Sequence, residues 1–363
     1  MSKIKCKLIS YSNNDFLQQV YTGFFLLHKS GLIDLEQTVI EKKEKNDKNN
    51  NYRINQHICV IVKDGIKLYY DMKDSWEIDK EYLSDSDYYF KRGYSPIHLT
   101  SLGDQKKKIF PYGLHYPVFP NAMDRFALQR NFVLYDGIQK ITGIVKPLNI
   151  FNRSRFAPRI NTMHSLPDYN ANPKILFMVK AYDPYDKSNR PKEKIEERIQ
   201  INETRAGCIK MLRSEFGNRF YGGFYHTDYA KKNYREYLMP DQKMSLQRNY
   251  INLLKSFPIC IANSGLHGSI GWKFAEYIAF SKAIVTEKME YEVTGNLEKG
   301  KNYLEFCSPE ECVDKASILF TDKKLRNEIM TSNSKYYQSY VRPDLLILNT
   351  ILTALSEQEK IST

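Results

Sequence analysis

The sequence predicts an α/β protein built as two Rossmann-like halves, and three observations carry that expectation. The first is the stretch 257–287, FPICIANSGLHGSIGWKFAEYIAFSKAIVTE. It reads as an apolar strand over 259–262, a loop holding Gly265, Gly268 and Gly271, a helix from Trp272 to about Phe280, and a second apolar strand at 283–285. The second is a fresh apolar strand at 175–179, preceded by a mixed segment with prolines at 158, 167 and 173. The third is length: 363 residues suit two domains of ordinary size, each able to bury its own core.

Composition narrows the class. Hydrophobic residues make up 42% and charged residues 26%, a globular balance. No apolar run approaches the roughly 20 residues that span a bilayer, and the start, MSKIKCKLIS, lacks the apolar stretch of a signal peptide, so a cytoplasmic protein is expected. The cysteines at 6, 59, 208, 260, 307 and 312 have neither zinc nor redox spacing and are expected to be reduced. The net charge of +12 fits nucleic acid, an anionic membrane surface or anionic substrates. Lysines and arginines are spread along the chain with no recognition-helix, zinc-finger or RNA-binding signature, so no nucleic-acid partner is expected, whereas peripheral contact with an anionic membrane stays open.

Taken in order, residues 3–10 read as a strand and 16–29 as a helix with Leu17, Val20, Phe24 and Leu27 in register. Ligands gather at the carboxyl ends of strands in such domains, so Asp15, at the end of the intervening loop, is a candidate general base or a helix N-cap. Residues 41–51, EKKEKNDKNNN, have no apolar face and read as a polar excursion. Strands at 57–62 and 67–70 flank a Lys63-Asp64-Gly65 turn, and Asp71 and Asp74 follow the second strand as acceptor ligands, bases or caps. Asp85 and Asp87 are rejected as a metal pair because no buried strand precedes them. Lys91, Arg92 and Tyr94 follow a further strand and are assigned to the acceptor side. The segment 149–172 is read as the interdomain connection.

In the second half, Lys180 leaves the 175–179 strand where a point charge would meet a diphosphate. The helix from about 194 to 216 carries Arg205, which by itself reads as part of a solvated face; His226 is read as structural; and 244–255 reads as a helix. The loop before Trp272 is then a candidate anion site. A helix N-terminus has unpaired N–H groups, and the Ser269, Ile270 and Gly271 amides are placed to offer them, with His267 beside them as a donor contact or a loop cap. Lys273, Glu276 and Tyr277 share one helix face, while Trp272, Ala275 and Ala279 share another that would pack on a sheet. Glu276, one turn beyond the anion site, is placed to accept from ribose hydroxyls; the bland alternative is a solvated Lys273–Glu276 pair.

From about residue 174 to 340 the chain resembles the C-terminal domain of GT-B glycosyltransferases, the group 1 or family 4-like enzymes of bacterial polysaccharide assembly. The resemblance runs through Ser264, Gly268-Ser269-Ile270-Gly271, Lys273-Phe274-Ala275-Glu276-Tyr277-Ile278-Ala279, Lys282-Ala283-Ile284-Val285, Gly300-Lys301-Asn302-Tyr303 and Ser308-Pro309-Glu310-Glu311. It implies the GT-B fold, two Rossmann-like α/β/α domains facing a central cleft, with 1–165 on the acceptor side, 166–340 binding the nucleotide-sugar, and a helix over 341–363 returning to the first domain. It also implies that Glu276 holds the donor ribose and the glycine loop its diphosphate, aided by Lys180 and Arg205, with neither metal nor cofactor. One departure stands out: such enzymes often carry an acidic residue eight positions before the ribose-binding Glu, and that position is Gly268. The activity implied is transfer of a sugar from a nucleotide-sugar to a glycan or lipid-linked hydroxyl, with Asp15 or Asp74 as base. A non-catalytic nucleotide-sugar or polysaccharide-binding subunit is the alternative.

Overall fold

The computed structural model describes residues 3–10, 15–39, 56–63, 65–121 and 158–362. The polar excursion at 41–51, the loop residues 11–14, Asp64 of the predicted turn and the first part of the 149–172 connection lie outside the described residues. The chain divides into two compact units, one of residues 1–162, 291–294 and 338–363, the other of 163–290 and 295–337.

The first unit holds a six-stranded sheet in the order β2-β1-β3-β4-β5-β6. Its strands are β1 (Ile4–Ser10), β2 (Ile33–Val39), β3 (His57–Val62), β4 (Ile66–Asp71), β5 (Tyr88–Lys91) and β6 (Ile109–Pro111). Most neighbours are parallel, as a Rossmann-like half requires, but β3 runs antiparallel to both β1 and β4. The cause is local. Lys63 and Gly65 both have positive φ, 49° and 106°, so β3 and β4 are joined by a tight hairpin, and a tight turn can only link antiparallel neighbours.

Helix α1 (Gln18–Lys29) covers this sheet with Val20, Phe24 and Leu27 fully buried, in the register read from the sequence. Two short helices follow β4 and β5, α2 (Lys80–Asp85) and α3 (Pro96–Leu99). The last helix of the chain, labelled α10 (Pro343–Ser362), belongs to the same unit and adds Leu346, Ile347, Ile351 and Ala354 to its core. It lies against α1 at Gly23, where a Cβ would fall 2.4 Å from both Ile347 Cγ1 and the Pro343 carbonyl oxygen. Tyr70 of β4 and Thr350 of α10 share a buried hydroxyl–hydroxyl hydrogen bond of 2.7 Å.

The second unit holds five parallel strands, β7 (Ile175–Val179), β8 (Phe220–Phe224), β9 (Ile259–Ala262), β10 (Ala283–Glu287) and β11 (Tyr303–Phe306). Their order is β11-β10-β9-β7-β8. Chain order therefore reverses between β7 and β9, and in open α/β sheets the crevice that ligands use lies outside the carboxyl ends of the strands at such a reversal. The helices between the strands are α4 (Lys192–Phe216), α5 (Asp228–Asn233), α6 (Gln247–Ser256) and α7 (Trp272–Ala279), and α8 (Pro309–Thr321) and α9 (Lys323–Tyr336) follow the last strand. Continuous apolar runs suit strands covered on both faces, and every residue of β7 and of β9 is buried. Helix α8 starts on the signal read from the sequence, with Ser308 Oγ accepting from the Glu311 N–H at 3.3 Å and Pro309 in the first turn. The fold class is thus α/β with two Rossmann-like units and a C-terminal helix carried back onto the first.

Candidate functional site

The reversal of strand order brings the residues after β7 beside those after β9, and α4 ties the two together. Arg205 of α4 donates from Nη1 to the Lys180 carbonyl oxygen at 2.6 Å and from Nη2 to the Ser264 carbonyl oxygen at 3.0 Å. Its guanidinium also lies 4.9 Å from the Tyr182 ring centroid. One turn earlier, Asn202 donates to the Tyr182 carbonyl at 2.7 Å and accepts from the Tyr182 N–H at 2.8 Å. Arg205 is therefore neither on a solvated face nor held out toward a ligand. It is 5% exposed and its terminal nitrogens secure the main chain on both lips of the crevice. The Lys180 side chain, by contrast, is exposed at the lip.

The glycine loop satisfies much of its own backbone. Ser264 N–H donates to Glu287 Oε2 at 2.7 Å, Gly265 N–H to the Ser269 carbonyl at 2.7 Å, and Ser269 N–H to the Leu266 carbonyl at 3.2 Å. Ser264 and Ile270 form an antiparallel bridge. Of the three amides expected to face an anion, Ser269 is thus committed inside the loop and Ile270 sits in the bridge. The Gly271 N–H, at the N-cap of α7, flanks that bridge on the side of the Asn263 carbonyl oxygen, which stands 3.8 Å from where a Gly271 Cβ would fall. His267 adopts φ 64°, ψ 25°, places Nδ1 3.0 Å from Lys194 Nζ and donates its N–H to the Glu197 carboxylate, so both early turns of α4 grip it. Gly268 follows with φ 67°, and a Cβ there would fall 2.3 Å from Glu290 Oε2.

On α7 the face expected to hold Lys273, Glu276 and Tyr277 together is split by burial. Tyr277 is wholly inside, and Ala275 and Ala279 are sealed as expected of a sheet-facing stripe. Glu276 is 9% exposed, and its Oε2 accepts from the Tyr250 hydroxyl of α6 at 2.6 Å. Lys273 Nζ lies 3.8 Å from that same oxygen and 3.3 Å from the Tyr250 ring centroid, with the Tyr225 ring at 5.8 Å. The pair is thus enclosed by tyrosines rather than solvated. Burial, then the neighbouring Glu276 carboxylate, pushes the Tyr250 phenol well above its ordinary range, so it stays a donor. Asn202, Tyr225 and Tyr250 escaped the sequence reading. Tyr250 shows there only as an apolar-face residue four before Leu254, which signals burial but no partner. Asn263, at the end of β9, has both amide atoms sealed with no hydrogen bond among the described residues.

In the first unit, Asp15 is exposed at the start of a short 3₁₀ turn over Asp15–Leu17. Asp74 receives a hydrogen bond from Arg92 Nη1, whose side chain is nearly sealed. Asp71 accepts from Tyr89 Oη at 2.5 Å, Lys91 Nζ at 3.0 Å and the Lys73 N–H at 2.9 Å. Lys91, expected on the acceptor side, is therefore closed off, and burial pushes its pKa down. Asp85 pairs with Lys67 at 2.7 Å, and Asp87 accepts the Lys67 N–H at 2.8 Å. Among the described residues no group of three or more His, Cys, Asp or Glu side chains is arranged to hold a metal ion, and no helix is long and apolar enough to cross a membrane.

No family model matches the chain, and no curated protein matches its sequence. Its fold is similar to solved structures of low identity. A glycosyltransferase from Rickettsia africae is 12% identical over 95% of this chain and 82% of its own, with a TM-score of 0.42. A Listeria monocytogenes protein described as a UDP-N-acetylglucosamine 2-epimerase is 12% identical over 98% and 97%, with a TM-score of 0.41. TarM of Staphylococcus aureus, crystallised with UDP, is 16% identical over 53% of this chain and 37% of its own, with a TM-score of 0.32. Structures described as glycosyltransferases recur among those this chain is similar to.

Proposed function

We propose that this chain is a glycosyltransferase that moves a sugar from a nucleotide-sugar to a hydroxyl of a glycan or lipid-linked acceptor in cell-surface polysaccharide or glycoconjugate synthesis. The observation that carries the reading is the reversal of strand order between β7 and β9, beside which stand the exposed Lys180, the N-terminus of α7 and the half-engaged Glu276 carboxylate. In this reading Glu276 accepts from the donor ribose. Lys180 and the α7 N-terminus, with the 267–271 loop around it, meet the diphosphate. Negative charge develops on the departing nucleoside diphosphate as the sugar becomes oxocarbenium-like, so fixed donors there lower the barrier. Arg205 contributes by fixing the two lips. Asp15, exposed, is the carboxylate proposed to accept the acceptor proton, because Asp74 already balances Arg92. No resident metal or cofactor is called for. The charge of +12 suits an acceptor on an anionic lipid at the inner face of the plasma membrane.

A thermal-shift panel of nucleoside diphosphates and nucleotide-sugars against wild type and Glu276→Ala tests the donor site. A ligand that binds only the native state raises its melting temperature, so one nucleotide should stabilise wild type and lose that effect in the variant. Indifference of both proteins to the whole panel removes the reading. A non-catalytic binding subunit is the second reading, favoured by the pairing of Asp71 with Lys91 and of Asp74 with Arg92. Donor binding without turnover on any acceptor would select it.

A further inference from the structure

We propose that Tyr250 is the positioning residue that presets Glu276 to read a single ribose hydroxyl, so that the pair discriminates a ribonucleotide from one of its deoxy counterparts; the inference rests on the nucleotide-site reading above. The two carboxylate oxygens of Glu276 have different surroundings. Oε2 takes the Tyr250 hydroxyl at 2.6 Å and faces Lys273 Nζ at 3.8 Å. Oε1 has no hydrogen bond from any described residue and is not among the sealed, unpartnered polar atoms. One oxygen is fixed from behind and the other is left open.

Pinning one oxygen fixes the rotation of the carboxylate plane, so the open oxygen keeps one direction in which to accept. An ionised carboxylate has no proton to give, and its ligand must be a donor such as a hydroxyl. Tyr250 is itself held, being 6% exposed with the Lys273 ammonium 3.3 Å above its ring. Packing thus fixes the phenol, the phenol fixes the carboxylate, and the carboxylate is prepared before any ligand arrives.

The test is calorimetric titration of UDP, ADP, GDP and CDP into wild type, Tyr250→Phe, Glu276→Gln and the double variant, followed by the 2′-deoxy and 3′-deoxy forms of the nucleotide that binds. Wild type should lose about tenfold or more for one deoxy form, as expected for a hydrogen bond to a charged group. Tyr250→Phe should weaken the ribonucleotide by a similar factor and leave that deoxy form unchanged, so that the ratio falls toward one. Glu276→Gln on top should add little, because both variants act on the same contact. If Tyr250→Phe weakens ribo and deoxy forms alike, Tyr250 is only structural, and if it changes neither, Tyr250 does not act through Glu276; either result overturns the proposal while leaving the nucleotide site standing. Absence of binding by wild type to all four nucleotides would instead remove the nucleotide site itself. Should Tyr250→Phe not fold, Tyr250→Met fills the same buried space without a hydroxyl donor and must flatten the same ratio.

Discussion

Lys91 Nζ lies 3.0 Å from Asp71 Oδ2, with both side chains closed off from solvent at paired positions on adjacent parallel strands. The two partners are not equally dependent on each other. Asp71 keeps hydrogen bonds from Tyr89 and the Lys73 N–H when the lysine is removed, whereas Lys91 without Asp71 retains, among the described residues, the Lys73 carbonyl at 3.5 Å. Asp71→Leu should therefore cost the first unit about 3–5 kcal/mol, the usual penalty for stranding a buried charge, and Lys91→Met clearly less. Urea unfolding followed through the first unit checks the order, and equal losses would contradict it.

Gly23 sets the approach of α1 to α10. With Ile347 Cγ1 and the Pro343 carbonyl oxygen 2.4 Å from a built Cβ, Gly23→Ala must push the two helices apart. The expected loss is about 1–3 kcal/mol. Hydrogen exchange should quicken along 343–362, and unchanged protection there would show that the helices adjust without parting.

His115 gives the first unit an acid limit. Burial, and then the positive charge of Arg92, hold its pKa well below the ordinary value of 6.5, so the folded ring stays neutral. As pH falls below about 6.5 the unfolded chain takes up a proton that the folded chain refuses. The stability tied to neutral His115 is thus present above that value and lost as pH falls toward the folded pKa. Melting temperatures taken from about pH 7.5 down to about 5.5 should drop more in wild type than in His115→Phe. Parallel curves would rule this out.

Gly268 separates two causes of strain. A Cβ there meets the Glu290 carboxylate, the movable end of an exposed side chain, but the φ of 67° is fixed by the loop. Gly268→Ala should lose about 1–2 kcal/mol from the left-handed backbone alone. Adding Glu290→Ala should not restore it; full recovery would assign the cost to the clash.

The strands and the glycine loop were legible because burial on both faces leaves continuous apolar runs, and because turns need glycine. The α7 boundaries followed from the same signals. The reverse direction of β3 was encoded in Lys63-Asp64-Gly65, a turn too short for a parallel crossover, yet strand order in a sheet depends on partners far along the chain. Arg205, Asn202 and Tyr250 were illegible as a group. Their partners are main-chain carbonyls 25 and 59 residues from Arg205, the Tyr182 backbone 20 residues from Asn202, and a carboxylate 26 residues from Tyr250. Periodicity reports which face is buried, not which acceptor waits there.

The grip of α4 on both lips of the crevice has a thermodynamic consequence. Lys194 and Glu197 hold His267, Asn202 holds Tyr182, and Arg205 holds Lys180 and Ser264, all from one helix of 25 residues. A rod fastened at so many points removes loop freedom before any encounter. A ligand seated there has little chain left to order, so its association should show a small entropic penalty and a heat-capacity change set by its own buried surface.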